Sequence, residues 1–138
     1  MHRSRLSGFI IDCRVDDLDA ATRFWSEALG MPVLGDDGPN YLRLDASARD
    51  LTVEVQRVDH DSRVHLDIET DDIEAEVRRL ERLGAVRVRQ GKRWWVMQAP
   101  SGQRYCVVEA REDLATAPGV NRWRDEAEPH QGRPVRSE

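Results

Sequence analysis

Cysteine is scarce in this chain: its 138 residues include two, Cys13 and Cys106. Two are too few for a disulfide framework, and their spacing matches no C-x-x-C zinc or redox motif, so both are expected as reduced thiols. Long apolar runs are also missing, and no stretch approaches the roughly 18 residues a membrane-spanning helix needs. The opening M-H-R-S-R-L-S lacks the apolar core of a secretory signal, which leaves the cytoplasm as the expected compartment. Nor is there a surplus of basic charge. The formal net charge is −5, and arginines are interspersed with aspartates and glutamates, whereas a nucleic-acid partner needs a clustered basic face. Neither nucleic acid nor a membrane is expected as a partner.

Apolar residues make up 39% of the chain and charged residues 34%, the balance of an ordinary soluble domain. A chain of this size buries roughly two-thirds of its unfolded surface, so one core can form without the help of a metal or a disulfide. Its most informative feature is an internal repeat. Residues 9–17 read F-I-I-D-C-R-V-D-D and residues 64–72 read V-H-L-D-I-E-T-D-D, an offset of 55 residues, and each is followed by an amphipathic segment ending in Leu-Gly. One supersecondary block cannot bury its own apolar face, so a fixed-period repeat points to two blocks packed together with a cleft between them.

In the first block Phe9, Ile11, Cys13 and Val15 alternate with Ile10, Asp12 and Arg14, the period of a strand with one apolar face. Asp16 is expected to cap the following helix. Leu18, Ala21, Trp25, Ala28 and Leu29 fall on one face of that helix, and Gly30 supplies its stop. A short segment at 32–34 and strands at 41–45 and 51–58 complete the block. In the second, Val64, Leu66 and Ile68 form the apolar face, with His65, Asp67 and Glu69 opposite. Asp71 with Glu74 reads as a capping box, Ile73, Val77 and Leu80 form the helical stripe, and strands follow at 85–89, 93–98 and 105–109. The expected fold is α+β, with two βαβββ modules at about 8–58 and 63–110. Together they would form one domain over residues 1–110. Residues 111–138 read by composition as a charged, partly flexible tail. Trp123 is the exception there, a single aromatic of the kind that docks on its own domain or on a neighbouring subunit.

The segments D-D-L-D-A-A-T-R-F-W-S-E-A-L-G at 16–30 and A-P-S-G-Q-R-Y-C-V-V-E at 99–109, within this module order, resemble the vicinal oxygen chelate superfamily. That group holds glyoxalases, extradiol dioxygenases, fosfomycin-resistance transferases and bleomycin-binding proteins, and this chain is most similar to its glyoxalase-like branch. The resemblance implies a curved, cleft-bearing sheet forming a pseudo-barrel with the helices outside, and a homodimer. It also implies metal ligands on the concave faces of the first and last strands of each module. Those positions fall on Ile10, Glu54, His65 and Cys106. Isoleucine cannot coordinate, and cysteine suits softer ions than the metals of the family. No cofactor is therefore expected, with a divalent ion at a shifted set of Asp12, Glu54 and His65 as the alternative.

Other residues are expected in the cleft for reasons of their own. Asp12 and Asp67 occupy matching positions on inward faces, where mid-strand aspartates must be solvated, paired or hydrogen-bonded, and Arg14 and Arg43 are their candidate partners. Gln56 shares the face of Glu54, while Tyr41 and Trp94 are candidate cleft walls, with Trp94 and Trp95 pointing to opposite sides of their strand. Two functional readings follow. In the first, the protein binds a small polar or cationic molecule without chemistry. In the second, His65 acts as a general acid or base, tuned by Asp67 or Glu54, on a small carbonyl substrate.

Overall fold

The structure is a computed structural model, and it describes residues 1–124. The chain order is β1 (His2–Cys13), α1 (Leu18–Leu29), β2 (Val33–Asp36), β3 (Tyr41–Leu44), β4 (Thr52–Arg57), β5 (Arg63–Thr70), α2 (Ile73–Arg82), β6 (Val86–Gln90), β7 (Trp94–Gln98), β8 (Arg104–Glu109) and β9 (Asn121–Trp123), with one turn of 3₁₀ helix at Ser47–Arg49. Strand, helix and three strands thus occur twice. The strands form one curved, unclosed sheet in the order β2-β3-β4-β1-β5-β8-β7-β6, with β9 paired to β1. No helix among the described residues is long and apolar enough to cross a membrane.

The alternation of β1 divides the sheet into two faces. Ile11 and Cys13 join Leu44, Val53 and Val55 in a core against Leu18, Ala21 and Trp25 of α1. Ile10 and Asp12, on the opposite side, are also buried, at 4% and 3% exposed. The second core packs Val77 and Leu80 of α2 against Met97, Tyr105 and Val107, with Ile68 beside them. Val64 and Leu66 do not reach it and remain 59% and 44% exposed. The reason is that α2 follows the end of β5 and packs with Ile68, the last apolar residue of the strand's outer face.

Both helix caps lie one residue later than the pattern predicts. Asp17, not Asp16, accepts a hydrogen bond from the Ala20 N–H at 3.1 Å. Asp72, not Asp71, accepts from the Ala75 N–H at 3.0 Å. Asp71 instead accepts from the Arg3 N–H at 2.7 Å, and Glu74 is drawn to Arg87 at 2.8 Å rather than back to the cap.

The centre of the sheet is tight. A Cβ placed on Gly8 would stand 1.7 Å from the Thr52 carbonyl oxygen, at the point where a register shift between Leu6 and Gly8 bends β1 along β5. A side chain there would push β1 off β4. The segment after β8 folds back on the domain. Leu114 is 3% exposed, the Arg5 guanidinium donates to the Pro118 carbonyl at 2.8 Å, and β9 pairs with the first residues of β1. Trp123 docks on its own domain. Its indole N–H donates to Ser4 Oγ at 2.8 Å, and the Arg79 guanidinium lies 3.8 Å above its ring. The remainder of the tail, residues 125–138, lies outside the described residues.

Candidate functional site

The concave face of the sheet lines an open cleft of about 1140 Å³. Across its floor, β1 lies between β4 and β5, and Ile10 is in register with Glu54 on one side and His65 on the other. Glu54 and His65 are therefore two strand spacings apart, roughly 10 Å between backbones, with an isoleucine side chain between them.

His65 is held from both ends. Its Nδ1 lies 2.7 Å from Asp12 Oδ2, and its Nε2 lies 3.4 Å from Asp67 Oδ1. Cys106 faces Asp67 across the parallel pairing of β5 and β8. His65, Asp67 and Cys106 each offer a donor atom, and those atoms lie within 4.8 Å of one another. Burial works against a charged ring, but Asp12, Asp67 and Cys106 outweigh it and push the pKa of His65 up to about 11.

A second acidic group sits on the β4 side. Burial, then a hydrogen bond to Asp37 and the charge on Asp37, pushes Glu54 up to about 8, so near neutral pH it holds a proton. Asp37 is held below the usual carboxylate range, first by Arg111 and then by that bond from Glu54. The Arg111 guanidinium is 2.6 Å from Asp37 and 3.8 Å from Glu54. Nearby, Gln56 donates to the Tyr41 hydroxyl at 2.7 Å. Arg43, in register with Glu54, lines the same cavity, with its Nε buried and unpartnered among the described residues.

Of the residues expected in the cleft, Tyr41, Arg43, Glu54, Gln56, His65, Asp67, Trp94 and Cys106 line the cavity. Asp12 lies beneath His65. Trp95 packs against the second core instead. Arg14 is not brought in: it follows the last residue of β1, where the alternation ends, and it pairs with Asp61 at 3.2 Å with its side chain 62% exposed. Arg63 takes the place expected of Arg14, with its Nε 3.8 Å from Asp12. The shifted metal set comes together only in part, because Glu54 is engaged with Asp37 and Arg111 while the donors that converge on His65 are Asp67 and Cys106. Pattern reading passes over Asp37 and Arg111, which meet across 74 residues of sequence. It also passes over Arg5, whose Nε donates to Glu69 at 2.5 Å. The G-D-D-G turn was the one local signal for Asp37; Arg111 had none.

Residues 8–108 match the family model described as a glyoxalase-like domain. The chain belongs to that family. With it comes membership of the vicinal oxygen chelate superfamily, as the repeated module and its loop motifs lead one to expect. No curated protein matches the sequence significantly. Among solved structures, the chain is similar to methylmalonyl-CoA epimerase from Mycobacterium tuberculosis, at 19% identity and a TM-score of 0.58, covering 81% of this chain and 91% of that one. A hypothetical protein from Bacillus halodurans C-125 is similar at 16% identity and a TM-score of 0.60, over 80% and 96% of the two chains. The Mn(II)-bound glyoxalase from Novosphingobium aromaticivorans is similar at 19% identity and a TM-score of 0.57, over 84% of this chain and 44% of that one. At these identities the likeness establishes the shared fold.

A hard divalent ion of the kind bound by that last relative needs oxygen-rich ligation. Of the four positions the resemblance implies, Ile10 and Cys106 do not supply it. Ile10 lies between Glu54 and His65, Glu54 is engaged with Asp37 and Arg111, and Cys106 offers sulfur.

Proposed function

We propose that this glyoxalase-like protein binds a small polar or cationic molecule in its concave cleft, without the hard-metal chemistry of the wider superfamily, and works as a homodimer as the family resemblance implies. The observation that carries this reading is that both ring nitrogens of His65 face carboxylates, Asp12 at 2.7 Å and Asp67 at 3.4 Å. A neutral imidazole offers one N–H and one lone pair, whereas two carboxylates ask for two donors. The ring therefore sits as a fixed positive charge. A general base needs a free nitrogen turned toward its substrate, and that favours binding over proton transfer by His65.

The charges around the cavity support the ligand class. Eight carboxyl groups and four guanidinium groups line it, and Arg111 and Arg5 are taken up by Asp37 and Glu69. Arg43 is left for an acceptor on the ligand. Tyr41 and Trp94 offer ring faces that attract a cationic group.

The test is thermal melting of tag-free, chelator-treated protein against small amines, carboxylates and amino acids. A true ligand at about 100 times its Kd adds about 2.7 kcal/mol of stability. Arg43→Ala and Asp67→Asn are each expected to weaken binding more than tenfold. A panel without a single stabilising compound, or stabilisation that survives both substitutions, contradicts the reading.

A further inference from the structure

We propose that Arg111 is the gate of the cleft: reaching from the end of the second module to Asp37 in the first, it closes the concavity, and a ligand enters when that pair parts. The proposal rests on the reading that the cleft takes a small molecule, and adds how access to it is controlled. Arg111 lies beyond residues 8–108, the stretch that the glyoxalase-like family model covers, so the gate belongs to this chain's own continuation.

The geometry is that of a chord across an arc. Arg111 lies two residues past the end of β8, and Asp37 directly follows β2. Along the sheet those strands are five spacings apart, with β3, β4, β1 and β5 between them, a path of roughly 24 Å. The Arg111 guanidinium nevertheless lies 2.6 Å from Asp37 and 3.8 Å from Glu54 on β4. Such a contact has to cross the concave side, over the cleft that Asp37, Glu54 and Arg111 all line.

The chain behind the gate is firm, and the arm is loose. The Ala110 N–H donates to the Thr70 carbonyl at 2.9 Å, and Leu114 is buried. Arg5, its side chain 9% exposed, donates to the Pro118 carbonyl and lies 3.8 Å from Glu112. The Arg111 side chain, by contrast, is 61% exposed. An exposed ion pair of this kind is weak and is screened by salt, and an arginine side chain has the rotamer freedom to swing into solvent. The mouth therefore opens by a side-chain rotation while the strap behind it stays in place.

The experiment uses Cys106, which lines the cleft, as the reporter, and Cys13, buried against α1 on the opposite face of the sheet, as the internal control. Full-length protein is treated with N-ethylmaleimide or with the larger pyrenylmaleimide, both uncharged, and mass spectrometry follows modification at each cysteine. A substitution that alters the reactivity of a thiol acts on both reagents alike, so the ratio of their rates reports access. The pyrenyl-to-ethyl ratio at Cys106 is expected to rise at least tenfold in Arg111→Ala and in Asp37→Ala, with Cys13 still protected as evidence that each variant is folded. Salt is expected to raise the ratio in the wild type and to leave that of Arg111→Ala unchanged. A ratio that neither substitution changes, a salt effect as large in Arg111→Ala as in the wild type, or a Cys106 closed to both reagents once Arg111 is removed overturns the proposal. No ligand is present, so a failed gate leaves the binding reading standing, and a ligand panel without a hit leaves these rates unaffected.

Discussion

His65 Nδ1 and Asp12 Oδ2 lie 2.7 Å apart across the antiparallel pairing of β1 and β5, the strands that join the two modules. The contact uses matching positions of the repeat asymmetrically. Asp12 corresponds to Asp67 and Ile10 to His65, and the second module's histidine bonds to the first module's aspartate. Asp12 therefore holds together the seam of the sheet as well as the ring at its centre.

Asp12→Asn exchanges a charge-assisted bond for a neutral one inside the domain. A loss of about 1.5–3 kcal/mol is expected, the range for hydrogen bonds to charged groups, and urea unfolding measures it. The raised pKa of His65 gives the sign with pH: its contribution is complete below about 6.5 and is lost as pH rises toward about 11. Unfolding measured from pH 6 to 10 should show this alkaline decline in the wild type and a flatter profile in Asp12→Asn.

Glu54 acts over a lower window. Its folded pKa of about 8 lies above the ordinary value of 4.5, so the folded state retains the proton longer. Its contribution is complete below about 4.5 and is lost as pH rises through about 8. Glu54→Gln keeps a neutral hydrogen-bond donor facing Asp37, and should match the wild type at pH 5 while exceeding it at pH 9. Calorimetric melting at the two pH values checks the crossing.

Gly8→Ala places a methyl group 1.7 Å from the Thr52 carbonyl oxygen. Since that neighbour is backbone, β1 and β4 must separate, and a loss of about 3 kcal/mol or more is expected. Equilibrium denaturation measures it, and a loss below about 1 kcal/mol would show that the strands accommodate the methyl group.

Trp123→Ala removes the indole bond to Ser4 and the stacking with Arg79. The first holds β9 against the start of β1, and the second holds it against α2. Faster hydrogen exchange at Ser4 and Asn121, which pair across β1 and β9, is expected, with the amides of β5 unchanged.

The architecture was legible because periodicity is a local property. The alternation in β1, the stripe on α1 and the recurrence 55 residues on each follow from neighbours in sequence. The first and last residues of the apolar stripe, Leu18 and Leu29, are also the first and last of α1. Residues that line the cavity were legible for the same reason. Arg14 was not, because alternation stops carrying information once the strand ends. The engagement of Glu54 with Asp37 and Arg111 was not legible either, since it joins a strand, a turn and the segment after β8, with no spacing rule connecting them. Cys106 was legible as a departure from the metal positions of the family, but its approach to Asp67 depends on the register of β5 and β8, which the sequence does not encode locally. Trp123 stood out as an aromatic among charges, while its partners on β1 and α2 could be identified only in three dimensions.

Ligand binding in the cleft is tested by a chemical-shift map of the isotope-labelled, metal-free protein titrated with a panel of amino acids, polyamines and small carboxylates. At least one compound is expected to produce saturable shifts concentrated on Tyr41, Arg43, Gln56, His65 and Trp94. Binding that moves only residues outside the cleft, or no saturable shift at those five positions with any of the panel, would contradict it.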